Sequence, residues 1–328
     1  MEITVLLSVF NGEKWLKYSI ESILNQSFRE FEFLIINDGS IDSTKKILEQ
    51  YAKDDSRIKL IHQINKGLTY SLNYGIKLAR GKWIARIDCD DIASPERLKK
   101  QYEFAIRTNS LLVGCQSKLI SDSGKNLGSS KIPTNEITLL KNLKSQKKFF
   151  SHSSAFFQKE IVLKIGNYRK VMKKSQDYDL WLRISEVARI NCLNYIGTYV
   201  REHNQRISLD DYGIEQRIYA HLANISQRIR LNNSNLKDPL ESKDPNELNY
   251  FINFTKQELK KRFFIDFYLK IFLYKKNIFN NGSIQSFFKI FNYFKDFKSI
   301  IFLIKWKIYG DFVSESIFKE WKKLHNIK

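Results

Sequence analysis

The chain has 328 residues, of which 43% are hydrophobic and 14% are aromatic. A chain of this size and composition can bury a full core, so it is not a disordered tail, and it has room for one large domain and a smaller appendage. Its three cysteines form no CxxC pair, which argues against a disulfide framework and against structural zinc. No apolar segment follows a basic start at the amino terminus, so we expect no signal peptide and a cytoplasmic location.

The formal net charge of +20 is large and unevenly distributed. Residues 260–328 hold 15 Lys or Arg against 5 Asp or Glu, a net charge of +10, together with 19 of the 45 aromatic residues. Basic and aromatic side chains in one stretch predict an anionic partner surface, either nucleic acid or the anionic inner leaflet of a membrane. No uninterrupted apolar run approaches the roughly 20 residues that a membrane-spanning helix needs.

The first half of the chain alternates strand and helix patterns with short breaks. A strand is predicted at 3–10 and a turn at Asn11–Gly12, after which apolar residues at helical spacing run from Trp15 to Leu24. The next predicted elements are a strand at 31–37, a helix capped near Asp42 or Ser43, a strand at 57–62, a helix from Leu68 to Ala79, a strand at 83–87 and a helix opened by Ser94–Glu96.

Repeated strand and helix units predict a parallel, doubly wound sheet, which binds ligands beyond the carboxyl ends of its strands. Three polar clusters follow predicted strands, at 8–11, 38–40 and 88–91, and we expect them to line one cleft. No strand is followed by GxGxxG or by a GxxxxGK loop. The sequence therefore argues against dinucleotide or ATP chemistry.

Three aspartates, Asp88, Asp90 and Asp91, surround Cys89 where the fourth strand ends. In an extended segment Asp88 and Asp90 share one face and Cys89 points to the other. Adjacent carboxylates repel each other, and a cation between them offsets this repulsion. Mg²⁺ or Mn²⁺, shared with the phosphates of a substrate, is the natural cation for such oxygen ligands. The alternative is that these residues only cap a helix or start a turn.

A second acidic cluster lies at 175–183, where Leu180, Ile184 and Val187 have helical spacing and Asp177 stands near the start. A carboxylate near a helix amino terminus is oriented and kept ionised, which suits a base that removes a proton from an acceptor hydroxyl. An ordinary helix cap remains the alternative.

Downstream, Arg201 offers a cation and His203 a possible metal ligand. A lone histidine is more often structural than bound to a metal, and both interpretations stay open.

Taken together these motifs resemble glycosyltransferase family two, the inverting nucleotide-sugar enzymes of the GT-A fold, of the kind that builds bacterial surface polysaccharide or lipooligosaccharide. The resemblance covers roughly residues 1–210 and implies a Rossmann-like, mostly parallel sheet flanked by helices, followed by a carboxy-terminal all-helical region. The motifs that carry it are residues 3–13, Ile36–Ser40, Asn65–Leu68 with Asn73, Ala85–Asp91 and Gln176–Trp181.

The resemblance implies a reaction and a set of donor contacts. A sugar would move from a nucleotide sugar, expected to be a UDP-sugar, to a saccharide or lipid-linked saccharide acceptor in cell-surface polysaccharide synthesis. Expected donor-binding residues are Ser8, Phe10, Asn11, Asp38, Gly67, Asn73, Arg86, Asp88, Asp91 and Arg201.

The same resemblance assigns the metal, the base and the acceptor side. Mn²⁺ or Mg²⁺ would be held by Asp90, with Asp88 and His203 as further ligands, and Asp177 would be the base. His152 is expected at the acceptor cleft, although a packing role fits it equally well. Gln176 stands where the family often has Glu, which we expect to change the polarity of the site and to leave the base in place.

Three regions are predicted: a catalytic domain at 1–230, a linker at 231–249 rich in Asn, Ser, Asp, Lys and Pro, and a basic, aromatic helical region at 250–328. Aromatic residues at helical spacing between lysines favour amphipathic helices in the last region. These helices would contact the inner face of the cell membrane, present a solvated basic face over a small core, or pair two chains into a homodimer.

A basic nucleic-acid-binding or membrane-surface protein without catalysis is the alternative function. We expect only weak and nonspecific nucleic-acid binding.

Overall fold

The structure is a computed structural model that describes residues 1–203, 214–232, 237–259 and 310–324. The chain divides into two compact units, one formed by residues 1–143 and 148–204, the other by residues 144–147 and 205–328. Residues 260–309 of the predicted basic, aromatic region lie outside the described residues. The predicted boundaries at 230 and 250 stay predictions.

The first unit alternates strands and helices in the predicted order. The strands expected at 3–10, 31–37, 57–62 and 83–87 are all present, each within about one residue of its predicted ends. The elements are β1 (Ile3–Val9), α1 (Leu16–Leu24), β2 (Phe31–Asp38), α2 (Thr44–Asp54), β3 (Ile58–Gln63), α3 (Leu68–Leu78), β4 (Trp83–Asp88), β5 (Ile92–Ala93), α4 (Arg97–Thr108), β6 (Leu112–Ser121), β7 (Asn126–Ser129), α5 (Glu136–Lys144, which continues into the second unit), a 3-10 turn (His152–Ser154), β8 (Phe156–Gln158), α6 (Lys159–Lys164), α7 (Gln176–Ser185) and β9 (Ile190–Glu202).

These strands form one sheet in the order β3-β2-β1-β4-β8-β6-β9-β5, with β7 paired to β6. The first four strands in this order are parallel to one another. β8 runs antiparallel to both β4 and β6, while β6 and β9 are parallel. The sheet is therefore mostly parallel, as predicted. Its register sets Ser8 of β1 opposite Ile36 of β2 and Asp88 of β4, so three strand ends meet at one edge.

Strands β1 and β2, which both have a strand on either side, are buried along their whole length because helices cover both faces of the sheet. α1 contributes Leu16, Ile20 and Ile23 to the core. On α3, Gly75 lies so close to the sheet that a Cβ atom would overlap the side chain of Leu6. The parallel strands are thus fixed against their helices by close packing, and their carboxyl ends have defined positions.

Two buried polar side chains of α4 reinforce the junction between β4 and β8. The guanidinium of Arg97 donates to the main-chain carbonyls of Arg86 and Ala155, at 2.7 and 3.3 Å. The amide of Gln101 donates to the carbonyls of Val113 and Ser154. Buried carbonyls need partners, and here, where β8 is only three residues long, side chains supply them.

The described residues of the second unit are helical apart from short connections. They form α8 (Ile214–Asn232), a 3-10 turn (Pro239–Glu241), a helix over 245–259 and a helix at Gly310–Leu324. Trp321 packs against Phe251, with ring centroids 4.8 Å apart. Within these described segments and those of the first unit, no helix combines the length and the apolar character needed to cross a membrane.

The second unit buries a histidine on α8. Nδ1 of His221 lies 2.9 Å from Ser314 Oγ and 3.1 Å from Gln146 Nε2. Burial, with a smaller effect of the nearby Arg217 charge, lowers the pKa of His221 to about 3. The imidazole is therefore neutral in the folded chain over the whole physiological range.

The pKa of His221 predicts an acid-dependent loss of stability. Between the unfolded pKa of about 6.5 and the folded value of about 3, protons bind only the unfolded chain. Over this interval His221 makes the free energy of unfolding fall with decreasing pH, by at most about 1.4 kcal/mol per pH unit. We expect His221→Gln to show a smaller decline than the wild-type chain.

Urea unfolding followed by circular dichroism at several pH values measures this effect. Above pH ~7 both proteins hold a neutral side chain at this position, so their difference in stability there is constant and serves as the internal control. Parallel curves down to pH ~4 would contradict the assignment.

Candidate active site

The predicted acidic motif lies at the carboxyl end of β4. β4 ends at Asp88 and a turn follows, so the extended backbone expected through Asp90 is wrong. The turn nevertheless gathers the carboxylates of Asp88, Asp90 and Asp91, each with an oxygen within 4.8 Å of the others. Cys89 packs away from them, with its sulfur beside Gly12. Burial and the neighbouring carboxylates raise the pKa of Cys89 well above its usual value, so the thiol stays protonated.

Asp88 forms a bidentate ion pair with the buried guanidinium of Arg86. The two residues are i and i+2 on β4, so their side chains leave the strand on the same face. The main-chain N–H of Asp88 donates to Ser153 Oγ at 3.0 Å. Asp88 is thus held both by its carboxylate and by its backbone.

Asp91 is the most buried carboxylate of the three. It accepts a hydrogen bond from the main-chain N–H of Arg201 at 2.8 Å. Burial, and after it the charges of Asp90 and Asp88, raise the pKa of Asp91 well above its usual value. Such a cluster binds protons unless a cation offsets its charge, and an all-oxygen donor set suits a hard divalent metal ion. The residues present therefore fit a divalent cation.

His203, which the resemblance implied as a metal ligand, lies beside this cluster. Its Nε2 is 2.8 Å from Oδ2 of Asp90, and its imidazole packs on Trp15 with ring centroids 4.1 Å apart. The imidazole is 7% exposed and the Asp90 side chain 23% exposed. Two of the predicted metal ligands are therefore adjacent, and Asp90 is partly accessible.

Arg201 is buried at the end of β9 and its guanidinium contacts the main chain. It donates to the carbonyls of Asp90, Ser121 and Asp122, at 3.0, 3.2 and 2.8 Å. These bonds hold the acidic turn against the β6–β7 turn. The predicted contact of Arg201 with a donor remains a prediction.

Asp38 ends β2 and organises the loop before α3. Its buried carboxylate accepts hydrogen bonds from Gln63 Nε2 and from the main-chain N–H groups of Lys66 and Gly67, at 2.6, 2.8 and 2.9 Å. Gly67 has a φ of +86°, and no described atom lies within 4 Å of the position that a Cβ would take. Asp38 therefore shapes this loop, and its predicted contact with the nucleoside stays a prediction.

The loop after β1 supplies an exposed aromatic ring. Phe10 is 49% exposed although it directly follows a buried strand. Asn11 has a φ of +52°, its N–H donates to Ser40 Oγ at 3.0 Å, and its Oδ1 accepts from the N–H of Ile41 at 2.9 Å. Asn11 thus joins the loops after β1 and β2, and beside them Phe10 offers an apolar face at which a planar ring can stack.

Asp177 lies in the first turn of α7, as predicted, and Gln176 is the first residue of that helix. Removal of water from the carboxyl group raises the pKa of Asp177, and the charge of Asp88 adds to this while Arg86 opposes it. Asp177 and the acidic motif are therefore close enough for their charges to interact.

His152 and Tyr168 form a polar pair near Asp177. Nε2 of His152 is 2.8 Å from the Tyr168 hydroxyl. Removal of water, and then the charge of Arg86, hold the pKa of His152 well below its usual value, so the ring is neutral. Asn73 exchanges two hydrogen bonds with the main chain of Tyr168, at 2.8 and 3.0 Å. The side chain of Asn73 thus fixes the 166–170 segment to α3, and its predicted donor contact remains a prediction.

The charge of Arg86 interacts with the acidic motif, with His152 and with Asp177. These groups therefore belong to one site. Four residues that build this site were not predicted from the sequence: Trp15, Asp122, Ser153 and Tyr168. Ser153 directly follows His152, which the resemblance placed at the acceptor cleft. No pattern in the sequence distinguishes Asp122.

The fold and this site define a glycosyltransferase of the GT-A type. The model of the family described as "Glycosyl transferase family 2" matches residues 4–166. The Escherichia coli O-antigen biosynthesis glycosyltransferase WbnJ is 35% identical over 187 residues, which cover 56% of this chain and 71% of WbnJ. The chain belongs to glycosyltransferase family 2.

Two solved structures share the fold. Residues 1–349 of S. aureus TarS in complex with UDP-GlcNAc match with a TM-score of 0.56 at 16% identity, over 98% of this chain and 92% of that one. A mannosyltransferase from Pyrobaculum calidifontis, PcManGT in complex with GDP-Man and Mn²⁺, matches with a TM-score of 0.56 at 13% identity, over 100% and 88%. The chain spans 44% of a longer TarS chain.

The acidic cluster predicts that a divalent cation stabilises the folded chain. At a concentration about tenfold above its dissociation constant, the cation should add about 1.4 kcal/mol, or about 2–4 °C in Tm. We expect Mn²⁺ to raise the Tm of the wild-type chain and not that of Asp90→Asn. Differential scanning fluorimetry measures this shift.

The control is Asp54→Asn, which removes one exposed carboxylate at the end of α2. It should keep the full shift. A wild-type shift retained by Asp90→Asn would show that the cation binds elsewhere.

Proposed function

We propose that this enzyme transfers the sugar of a nucleotide sugar, in particular a UDP-sugar, to a saccharide or lipid-linked saccharide acceptor in cell-surface polysaccharide synthesis, with inversion at the anomeric carbon. The observation that carries the proposal is the gathering of three carboxylates and His203 at one strand edge, with Asp177 within electrostatic reach. The names of two similar proteins support it, since WbnJ is an O-antigen biosynthesis enzyme and TarS was solved with UDP-GlcNAc.

The metal site would consist of Asp90, Asp88 and His203, with Mn²⁺ or Mg²⁺ as the ion. When bound, such an ion offsets the negative charge that gathers on a departing diphosphate. The chain itself fixes the ligands: Arg86 orients Asp88, and the N–H of Arg201 orients the neighbouring Asp91. PcManGT, which shares the fold, was solved with Mn²⁺.

Asp177 would accept the proton of the acceptor hydroxyl as that oxygen attacks the sugar. A carboxylate whose pKa is raised by burial is a stronger base than a free aspartate. The neutral His152 and the Tyr168 hydroxyl would hydrogen-bond the acceptor without adding charge, and Gln176 would contact it from the start of α7. One base suffices for a single inverting displacement.

On the donor side, the geometry supports two kinds of role. The exposed ring of Phe10 would stack on the base, while Ser8, Gly67 and Asp88 line the strand edge. Three other predicted donor-binding residues, Asp38, Asn73 and Arg201, direct their side chains to the main chain. They would act on the donor through the loops that they hold.

The basic region at 250–328 would bring the enzyme to the inner face of the cell membrane, where a lipid-linked acceptor is found. The support is its sequence, a net +10 over residues 260–328, because anionic lipid attracts clustered basic residues. A homodimer contact through the same region is the other proposal. The comparisons give no support to a nucleic-acid-binding protein without catalysis.

Asp177→Asn tests the base. Loss of a general base typically lowers turnover by about 10²–10⁴-fold, and donor binding should persist because the acidic motif is untouched. Since the pKa of Asp177 is raised, the wild-type rate should fall as pH decreases through a value above that of a free aspartate. Rates with a panel of UDP-sugars and donor affinity by calorimetry are the measurements.

The matched control is Glu160→Gln, which removes an exposed carboxylate from α6 and should leave both quantities unchanged. Turnover retained by Asp177→Asn would remove Asp177 from the base role.

Vesicle sedimentation of the full chain tests the membrane contact. We expect binding to vesicles with anionic lipid and little binding to zwitterionic vesicles, with the bound fraction falling as salt screens the charges. Replacing Lys260, Lys261 and Arg262 with Gln should weaken it. Equal binding to both vesicle types would contradict an electrostatic contact.

A further inference from the structure

The turn between β6 and β7 holds the start of α1 through one residue. Oδ1 of Asp122 accepts a hydrogen bond from the indole N–H of Trp15 at 3.1 Å, and Oδ2 accepts from Lys14 Nζ at 2.7 Å. The main-chain carbonyl of Asp122 accepts from Arg201 at 2.8 Å. Asp122 therefore joins α1 and the end of β9, which are far apart in the sequence.

Trp15 transmits this anchoring to His203. The indole is 7% exposed, and its ring lies against the imidazole with centroids 4.1 Å apart and planes inclined by 37°. Nε2 of the same imidazole is 2.8 Å from Asp90 Oδ2. A continuous series of contacts thus runs from Asp122 through Trp15 and His203 to the acidic motif.

An imidazole ligates a metal only when a ring nitrogen is directed at the ion, and the groups that orient ligands commonly control the affinity of a metal site. His203 turns about two side-chain bonds. Packing against the indole, with ring centroids 4.1 Å apart, restricts rotation of the imidazole about these bonds. Because the indole itself is held by Asp122, the direction of the imidazole depends on a residue of another turn.

We propose that Trp15 and Asp122 are positioning residues that direct His203 at a divalent cation held by Asp90. The inference rests on the metal site of the proposed function. Trp15 and Asp122 would then differ from ordinary structural residues, because their effect on cation affinity would require His203.

The test measures Mn²⁺ affinity of the full chain by isothermal titration calorimetry, with and without UDP. Loss of an orienting group typically costs about 10–100-fold in metal affinity, and we expect about tenfold for Trp15→Leu and for Asp122→Ala. Asp122→Asn should restore most of the affinity, because its amide oxygen still accepts the indole N–H.

Two comparisons separate positioning from general destabilisation. In a His203→Ala background, Trp15→Leu should cause no further loss of affinity, since the group through which it acts is gone. Lys14→Gln should bind Mn²⁺ like the wild-type chain, because the Lys14–Asp122 pair is exposed, 57% and 52%, and exposed pairs contribute little.

The outcomes are distinct. If the wild-type chain binds Mn²⁺ and neither Trp15→Leu nor Asp122→Ala changes the affinity, the inference is overturned alone. The inference is also overturned if Trp15→Leu lowers Mn²⁺ affinity by the same factor in the His203→Ala background as in the wild-type chain. If the wild-type chain binds no Mn²⁺ with or without UDP, the metal part of the proposed function is overturned along with it. If Trp15→Leu does not fold, Asp122→Ala replaces it in the double-mutant comparison with His203→Ala, because Asp122 is half-exposed.

Discussion

A buried guanidinium, that of Arg86, organises the charges of the site. Burying an unpaired cation is costly, and Arg86 is paired in bidentate fashion with Asp88 at the end of β4. Burial lowers the pKa of His152 and the charge of Arg86 adds to this effect, while the same charge opposes the rise that burial causes in the pKa of Asp177. Burial, and after it the charges of Asp90 and Asp88, raise the pKa of Asp91 well above its usual value, so the three carboxylates repel one another. A divalent cation would offset this repulsion.

The topology of the sheet brings the two sides of this charge arrangement together. β1, β2 and β4 are parallel and end at one edge, which places Ser8 and Asp88 side by side. β8 then joins β4 in the opposite direction, so the turn that precedes it reaches the same edge. That turn carries His152 and Ser153, and Ser153 accepts the N–H of Asp88. A wholly parallel sheet would place the amino end of β8 at the opposite edge.

The sequence predicted the first half of the fold because its signals are local. The helical and strand periodicities between Ile3 and Asp88 reflect which side chains of each element are buried. The three aspartates within four residues indicate a cation site by their residue type alone. The hydrogen-bond partners of the site's side chains could not be predicted from such local patterns. Arg201 meets Asp91 across 110 positions and Asn73 meets Tyr168 across 95, and periodicity holds no information about such pairs. β8, with three residues, is too short for any pattern.

Three predicted donor-binding residues, Asp38, Asn73 and Arg201, also hold together the loops of the site. Each directs polar atoms to main-chain groups of another segment: the 66–67 loop, the segment at Tyr168 and the β6–β7 turn. These bonds form when the chain folds, so the loops need not be ordered when a donor binds. Preorganisation of this kind raises affinity and lowers the reorganisation that the transition state requires. Residues of a sequence motif in such an enzyme can therefore hold the loops of the cleft in place as well as contact the substrate.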